Sequence, residues 1–170
     1  LRRRLDAILA LAQAAQPLLD ADQGERLPDL AASWQPEEEP VPPGPGLFPA
    51  AQRFLAELEC LEPDWRALLR QSETAAPVPA EEALLERTAA YFLFRQILKT
   101  VNDGDLLSRT ALCVFAVLTV ERLGAVCGLP EALRRFSREV EHDQDNLEAL
   151  QAVFWEAEAL ECLRRELAQG

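Results

Sequence analysis

Apolar residues in this chain recur at helical spacing, and nowhere do they alternate convincingly as in a strand. Leu1, Leu5, Ile8 and Ala12 fall at i, i+4, i+7 and i+11, one stripe of an amphipathic helix over residues 2–16. The same segment imitates a secretory leader, with a basic run, an apolar run and a small-residue end. Asp6 and Gln13 interrupt it, and its periodicity favours a helix packed on the domain. A loosely helical stretch continues to Trp34, broken at Gly24 and Pro28.

"PEEEPVPPGPGLFP" (36–49) holds six of the twelve prolines and predicts an exposed loop or linker with solvated glutamates. Helical spacing resumes over 49–61 with Phe54, Leu55 and Leu58, then in a short helix after Pro63 carrying Trp65, Leu68 and Leu69. Beyond the break "APVP" (76–79) come "AEEALLERTAAYFLFRQILKTV" (80–101), "NDGD" (102–105) and "LLSRTALCVFAVLTVERLGAV" (106–126). Glu81 and Glu82 suit a helix N-terminus, and Asp105 suits the N-cap of the second helix. "NDGD" has half the look of a calcium loop, lacks the distal ligands, and reads as a turn. So short a turn predicts an antiparallel hairpin, and both helices are apolar enough to be nearly enclosed. The longest uncharged apolar run, 110–120, is too short to span a membrane.

Residues 128–142 predict a helix with Pro130 in its first turn. Asp145 and Glu148 form a D-x-x-E capping box for the last helix, with a break near 143–145. The expected fold is all-α, an irregular multi-helix bundle of about seven or eight helices around a central antiparallel hairpin. Its parts are an N-terminal helical segment (1–35), a Pro-rich linker (36–49) and a main helical domain (50–170), the first packing on the last.

Charge narrows the function. The 170 residues carry a net −12, against what phosphate binding requires, so no nucleic-acid partner is expected. Lys99 is the single lysine beside sixteen arginines, a pattern of GC-rich codon usage. Cys60, Cys113, Cys127 and Cys162 are too dispersed for a CxxC element, which favours free thiols in a reducing compartment. No cofactor or metal is therefore expected within this chain, and the expected location is the cytoplasm, with no membrane partner. The chain contains no methionine, from which a part of a longer protein is expected.

Two clusters carry candidate chemistry. On a helical wheel of 129–142, Leu129, Leu133, Phe136 and Val140 form the apolar stripe. Arg135, Arg138, Glu139 and His142 lie opposite it, so the only histidine is expected to point away from the core. Glu139 and His142 make an E-x-x-H, but a di-iron bundle needs two such motifs and hence a second histidine. Ser137 faces away from His142 on the same helix, so nucleophilic chemistry has no partner. The plain expectation is a solvated, salt-bridged face; the sharper one is a partner interface. The second cluster is Tyr91, Arg95 and Lys99 at i, i+4 and i+8. Its cations need partners, Asp103, Asp105 or the acidic final helix, or else anchor an anionic ligand.

"YFLFRQILKTVNDGDLLSRTAL" (91–112) and "RRFSREVEHDQDNLEAL" (134–150) resemble the C-terminal helical region of the flagellin lysine-N-methylase family. The matching residues are Phe136, Ser137, Arg138, Glu141 and His142, followed by Asn146 and Leu147. "LRRRLDAILALAQ" and "GERLPDLA" fit the preceding part of such proteins, extending the resemblance over most of 1–155. It implies methyl transfer from S-adenosylmethionine to lysine side chains of flagellin. It also implies an N-terminal cysteine cluster holding a metal or iron–sulfur centre, which the four cysteines here cannot replace. An acidic surface suits a cationic sulfonium and a lysine substrate. The resemblance assigns no catalytic residue; Tyr91, Arg95, Lys99, Arg138, Glu139, Glu141, His142 and Asn146 are candidate ligand or interface contacts. Against the helical half of such an enzyme stand a non-catalytic helical interaction module and, more weakly, a small-ligand bundle anchored by Arg95 and Lys99.

Overall fold

A 22-residue helix organises the structure because almost every side chain along it is apolar or small. The computed structural model describes residues 1–36, 41, 43–75 and 82–169. Among the described residues every regular element is helical, so the chain is all-α.

The elements run α1 (Arg2–Asp20), a single 3-10 turn, α2 (Leu27–Ser33), α3 (Phe48–Glu57), α4 (Trp65–Glu73) and α5 (Glu82–Ile97). There follow α6 (Thr100–Asp103), α7 (Leu106–Cys127), α8 (Leu129–Phe136), α9 (Gln144–Val153) and α10 (Ala157–Ala168). Every residue of α7 from Thr110 to Val120 is buried. α1, α4, α5, α8, α9 and α10 all pack on it. Each fully buried large apolar side chain adds roughly 1.5–3 kcal/mol, so α7 supplies much of the driving force. By length and a mean hydropathy of 1.8 it is also long and apolar enough to cross a membrane. The uncharged run understated this, since the helix continues through Arg109 and Glu121. Here 67% of its apolar window is buried by neighbouring helices.

Asp105 caps α7 as its spacing predicts, accepting the Ser108 backbone N–H at 3.1 Å. Before it, α6 ends on Gly104 at φ 71°, a left-handed turn that a side chain would strain. Gln16 of α1 grips this turn, its Oε1 accepting from the Leu106 and Leu107 amides and its Nε2 donating to the Gly104 carbonyl.

Other boundaries differ from expectation. α1 runs to Asp20, past Pro17, and its buried seam is Leu5, Leu9, Ala12 and Ala15, with Ile8 only half-buried. Part of the Pro-rich stretch, and Glu81, lie outside the described residues; at its end Leu47 and Phe48 are buried, so the chain re-enters the core there. The cap of α9 is Asp143, accepting from the Asn146 amide at 2.9 Å, two residues before the predicted Asp145. α5 is not enclosed either: Phe94 is 72% exposed, and Leu98, in the turn just past its end, 59%.

Candidate functional site

The π turn that follows α8 brings the two predicted clusters together. Over Ser137–Glu141 the chain widens, the His142 N–H donating to the Ser137 carbonyl at 2.8 Å across five residues. Widening a helix by one residue per turn rotates everything after it away from the ideal wheel. Glu139, Val140 and Glu141 are consequently all buried, Glu139 at 1% exposure. The expectation that Glu139 belongs to a solvated outer face is corrected by this turn. His142 keeps its predicted outward direction and is exposed. The E-x-x-H pair therefore points to opposite environments. Among the described residues no group of three or more His, Cys, Asp or Glu is placed to hold a metal ion.

Glu141 reaches across to α5. Its carboxylate accepts the Tyr91 hydroxyl, with oxygen separations of 3.0 and 3.1 Å, and pairs with Arg95 Nε at 2.8 Å. Arg95 also donates to the Tyr91 hydroxyl oxygen at 3.4 Å and lies 5.6 Å from the centre of its ring. Burial pushes the Tyr91 phenol up, and the hydrogen bond and charge of Glu141 push it the same way. Arg95 thus finds its partner on the turn after α8 rather than at Asp103, Asp105 or the final helix. Asp103 is taken by Arg109. Lys99 stands apart, half-buried and one turn further along.

This pair should respond unequally to truncation. The Glu141 side chain is 1% exposed and that of Arg95 41%. Removing the arginine strands a buried charge, whereas removing the acid leaves a cation that can still reach water. Arg95→Met is expected to cost about 2 kcal/mol and Glu141→Gln about 1 kcal/mol, discounting the exposed partner for solvent. Urea midpoints of the two variants measure the order; equal losses would mean the pair is not asymmetric.

Glu139 does different work. Its two oxygens accept the Leu61 and Glu62 amides at 2.9 and 2.7 Å. Asn146 closes the same clamp, donating from Nδ2 to the Glu59 and Glu139 carbonyls, both at 2.8 Å. The loop between α3 and α4 is thereby tied to the turn after α8. Glu62, which spacing did not single out, collects the cations around it: Arg134 at 3.0 Å, Arg138 at 3.2 Å and Arg135 at 3.7 Å. Hydrogen bonds from Arg134 and Arg135 hold the Glu131 carboxyl down at about 2. No short motif encodes such a hub, because its members come from separate loops and helices.

A half-buried acid, Asp105, was read only as a cap. Besides Ser108, Asp105 accepts from Gln151 Nε2 at 2.8 Å and Trp155 Nε1 at 3.0 Å. Burial pushes its carboxyl up, but the bonds from Ser108, Trp155 and Gln151 outweigh that and leave it below the usual aspartate value. A folded-state value below the unfolded one, about 3.9, means stability that is present above pH 4. It is lost as pH falls through the lowered value. Asp105→Asn should cost about 1 kcal/mol at pH 7. The gap to the unsubstituted protein should shrink by pH 3, read from paired urea titrations; a gap unchanged by pH would remove Asp105 as its cause.

Burial works against thiolate formation at three cysteines: it pushes the Cys113 thiol up to about 12 and likewise raises Cys60 and Cys127. An apolar cleft of about 470 Å³ opens between α3, α9 and α10, lined by Ala51, Phe54, Leu150, Phe154 and Cys162, and contains none of the predicted site residues. Among the described residues, no serine or cysteine hydrogen-bonds to the His142 ring. The buried carboxylates Glu139 and Glu141 are bonded to partners within the fold. What the cluster does chemically is hold α5, α8, α9 and the loop before α4 in one arrangement. Comparison with protein families, with curated proteins and with solved structures returns no match.

Proposed function

We propose that this chain is the C-terminal helical part of a protein resembling flagellin lysine-N-methylase, acting as its scaffold or substrate-facing half. What supports the reading is that the two stretches carrying the resemblance, 91–112 and 134–150, meet in one cluster. Tyr91 and Arg95 from the first bond Glu141 from the second, and Phe92 packs edge-on against Phe136 with ring centres 5.7 Å apart. Of the residues shared with the family motif, Tyr91, Phe92, Arg95, Phe136 and Glu141 make these joining contacts. In this reading α5 and α7 form the central antiparallel hairpin of a bundle with about seven or eight principal helices.

S-adenosylmethionine, when bound to such an enzyme, supplies an electrophilic methyl group that passes to a deprotonated lysine amine. No residue here is assigned to that step. Nor do the cysteines fit a metal or iron–sulfur centre, since among the described residues none of them belongs to a group of three or more His, Cys, Asp or Glu placed to hold an ion. The cytoplasm of a bacterium is the location that goes with this reading, flagellin the substrate, and a cysteine-cluster part the companion. The test is methyl incorporation into purified flagellin by the full-length protein, alongside its iron and zinc content. A full-length protein that transfers no methyl group to flagellin overturns the reading. Titration of this chain with S-adenosylmethionine then separates a cofactor-binding half, which gives heat, from a scaffold, which gives none.

A second reading, a non-catalytic helical interaction module, is favoured by one observation: the row of large apolar side chains exposed along α5 and α6. Tyr91 is 37%, Phe94 72%, Leu98 59% and Val101 88% exposed.

A further inference from the structure

That row has a direction and a charge. At one hundred degrees per residue, Arg87, Tyr91 and Phe94 fall along one side of α5, and Leu98 in the turn after it and Val101 in α6 continue the same spacing, roughly 21 Å from end to end at helical rise. Scattered exposed apolar residues are ordinary; Tyr91 and Phe94 on α5, Leu98 in the turn after it and Val101 on α6 are exposed in close succession, the kind of patch that marks a binding surface. Between Arg87 and Asn102 the sequence holds no carboxylate, only Arg87, Arg95 and Lys99, in a chain whose net charge is −12. Arg95 is engaged by Glu141, while among the described residues neither Arg87 nor Lys99 has an ion-pair partner. The file is therefore apolar along its ridge, with Arg87 at its N-terminal end and Arg95 and Lys99 along one flank, on an otherwise acidic molecule.

We propose that the outer face of α5 and α6 docks an amphipathic helix of a partner protein, one carrying an apolar stripe flanked by Asp and Glu. The proposal rests on the interaction-module reading and names its partner. Helix-on-helix recognition presents anchors at i, i+4 and i+7, the spacing that Arg87, Tyr91 and Phe94 and then Leu98 and Val101 follow. Two-fold pairing with a second copy would set the cations of one face against the same cations of the other. An anionic bilayer would face the whole acidic surface, whereas a slim helix meets only the local cations within about one screening length, 8 Å. Apolar burial supplies the affinity and the flanking charges select the partner.

The probe is a fluorescent helical peptide with leucines at i, i+4 and i+7 and glutamates on both flanks, beside a counterpart with lysine for glutamate. The acidic peptide is expected to bind roughly tenfold or more tightly than the basic one. Phe94→Ser with Leu98→Ser should weaken it by about tenfold or more while circular dichroism and melting stay unchanged, since both side chains are exposed. Arg87→Glu with Lys99→Glu should reverse the charge preference. Equal binding of the two peptides, or binding indifferent to the serine pair, overturns the proposal. Concentration-dependent dimers in sedimentation, lost in the serine pair, overturn it in favour of a second copy and leave the module reading standing. Capture by phosphatidylserine vesicles through the same residues overturns it in favour of a membrane. No peptide binding, no dimer and no vesicle capture overturn both it and the module reading.

Discussion

Phe136→Ala is expected to cost about 4 kcal/mol, the range for deleting a buried aromatic ring from a core that cannot collapse onto the space. Phe136 is 2% exposed and stands edge-on to Phe92, the ring planes 83° apart. It is the last residue of α8 before the helix widens, so its ring fixes where the π turn sits against α5. Deleting the ring should loosen the Glu141–Tyr91–Arg95 contact as well as open a cavity. Phe136→Leu keeps most of the volume and should cost under about 2 kcal/mol. A double-mutant cycle with Phe92→Leu should show coupling of about 1 kcal/mol, the usual worth of an edge-to-face pair beyond its area. Urea unfolding at neutral pH reads all of these. A loss below about 1 kcal/mol for the alanine variant would mean the core around α8 repacks freely.

Glu139→Ala should cost about 3 kcal/mol, because it strips a charged acceptor from two backbone amides at once. The Leu61 and Glu62 N–H groups have that carboxylate as their partner, and Asn146 holds the same loop by its Glu59 carbonyl. Glu139→Gln retains one acceptor oxygen and should lose roughly half as much. The sharper readout is local: hydrogen exchange at Leu61 and Glu62 should be slow in the unsubstituted protein and fast in Glu139→Ala. Exchange unchanged at both amides would show that the carboxylate does not hold the loop. Taken with the Phe136 result, this separates the two roles of the turn after α8, one in packing and one in tying down the α3–α4 connection.

Of the two residues on which these expectations centre, helical spacing placed Phe136 in the core, where it lies, and Glu139 on the wrong side. An ideal wheel sets Glu139 about 60° from Phe136 and about 100° from Val140, beside the apolar stripe, and the expected grouping placed it with Arg138 and His142 on the solvent face. The wheel assumes a constant rotation per residue, and a five-residue hydrogen bond ending at His142 breaks that assumption. His142, beyond the turn, still points out; Glu139, inside it, points in. The cap of α9 failed for a smaller reason. Asp143 and Asp145 both precede a helical run, and the choice between them depends on which amide the folded chain leaves unbonded. Asp105 had no such rival, directly before a long apolar helix, and it caps as expected. The exposure of Phe94, Leu98 and Val101 was hidden for the opposite cause. An apolar helix reads as enclosed, and only the positions of α7 and α8 reveal that neighbours cover one side of α5 alone.

Information confined to a single turn of chain settled the helical class, the long central helix and its Asp105 cap, since propensity and capping act over a few residues. Folding in three dimensions decided the rest: that Glu141 meets a tyrosine fifty positions away, that Glu139 closes a loop, and that one flank of α5 stays bare. Contacts between distant segments depend on how helices pack, and packing answers to the shape of the whole core rather than to any local pattern.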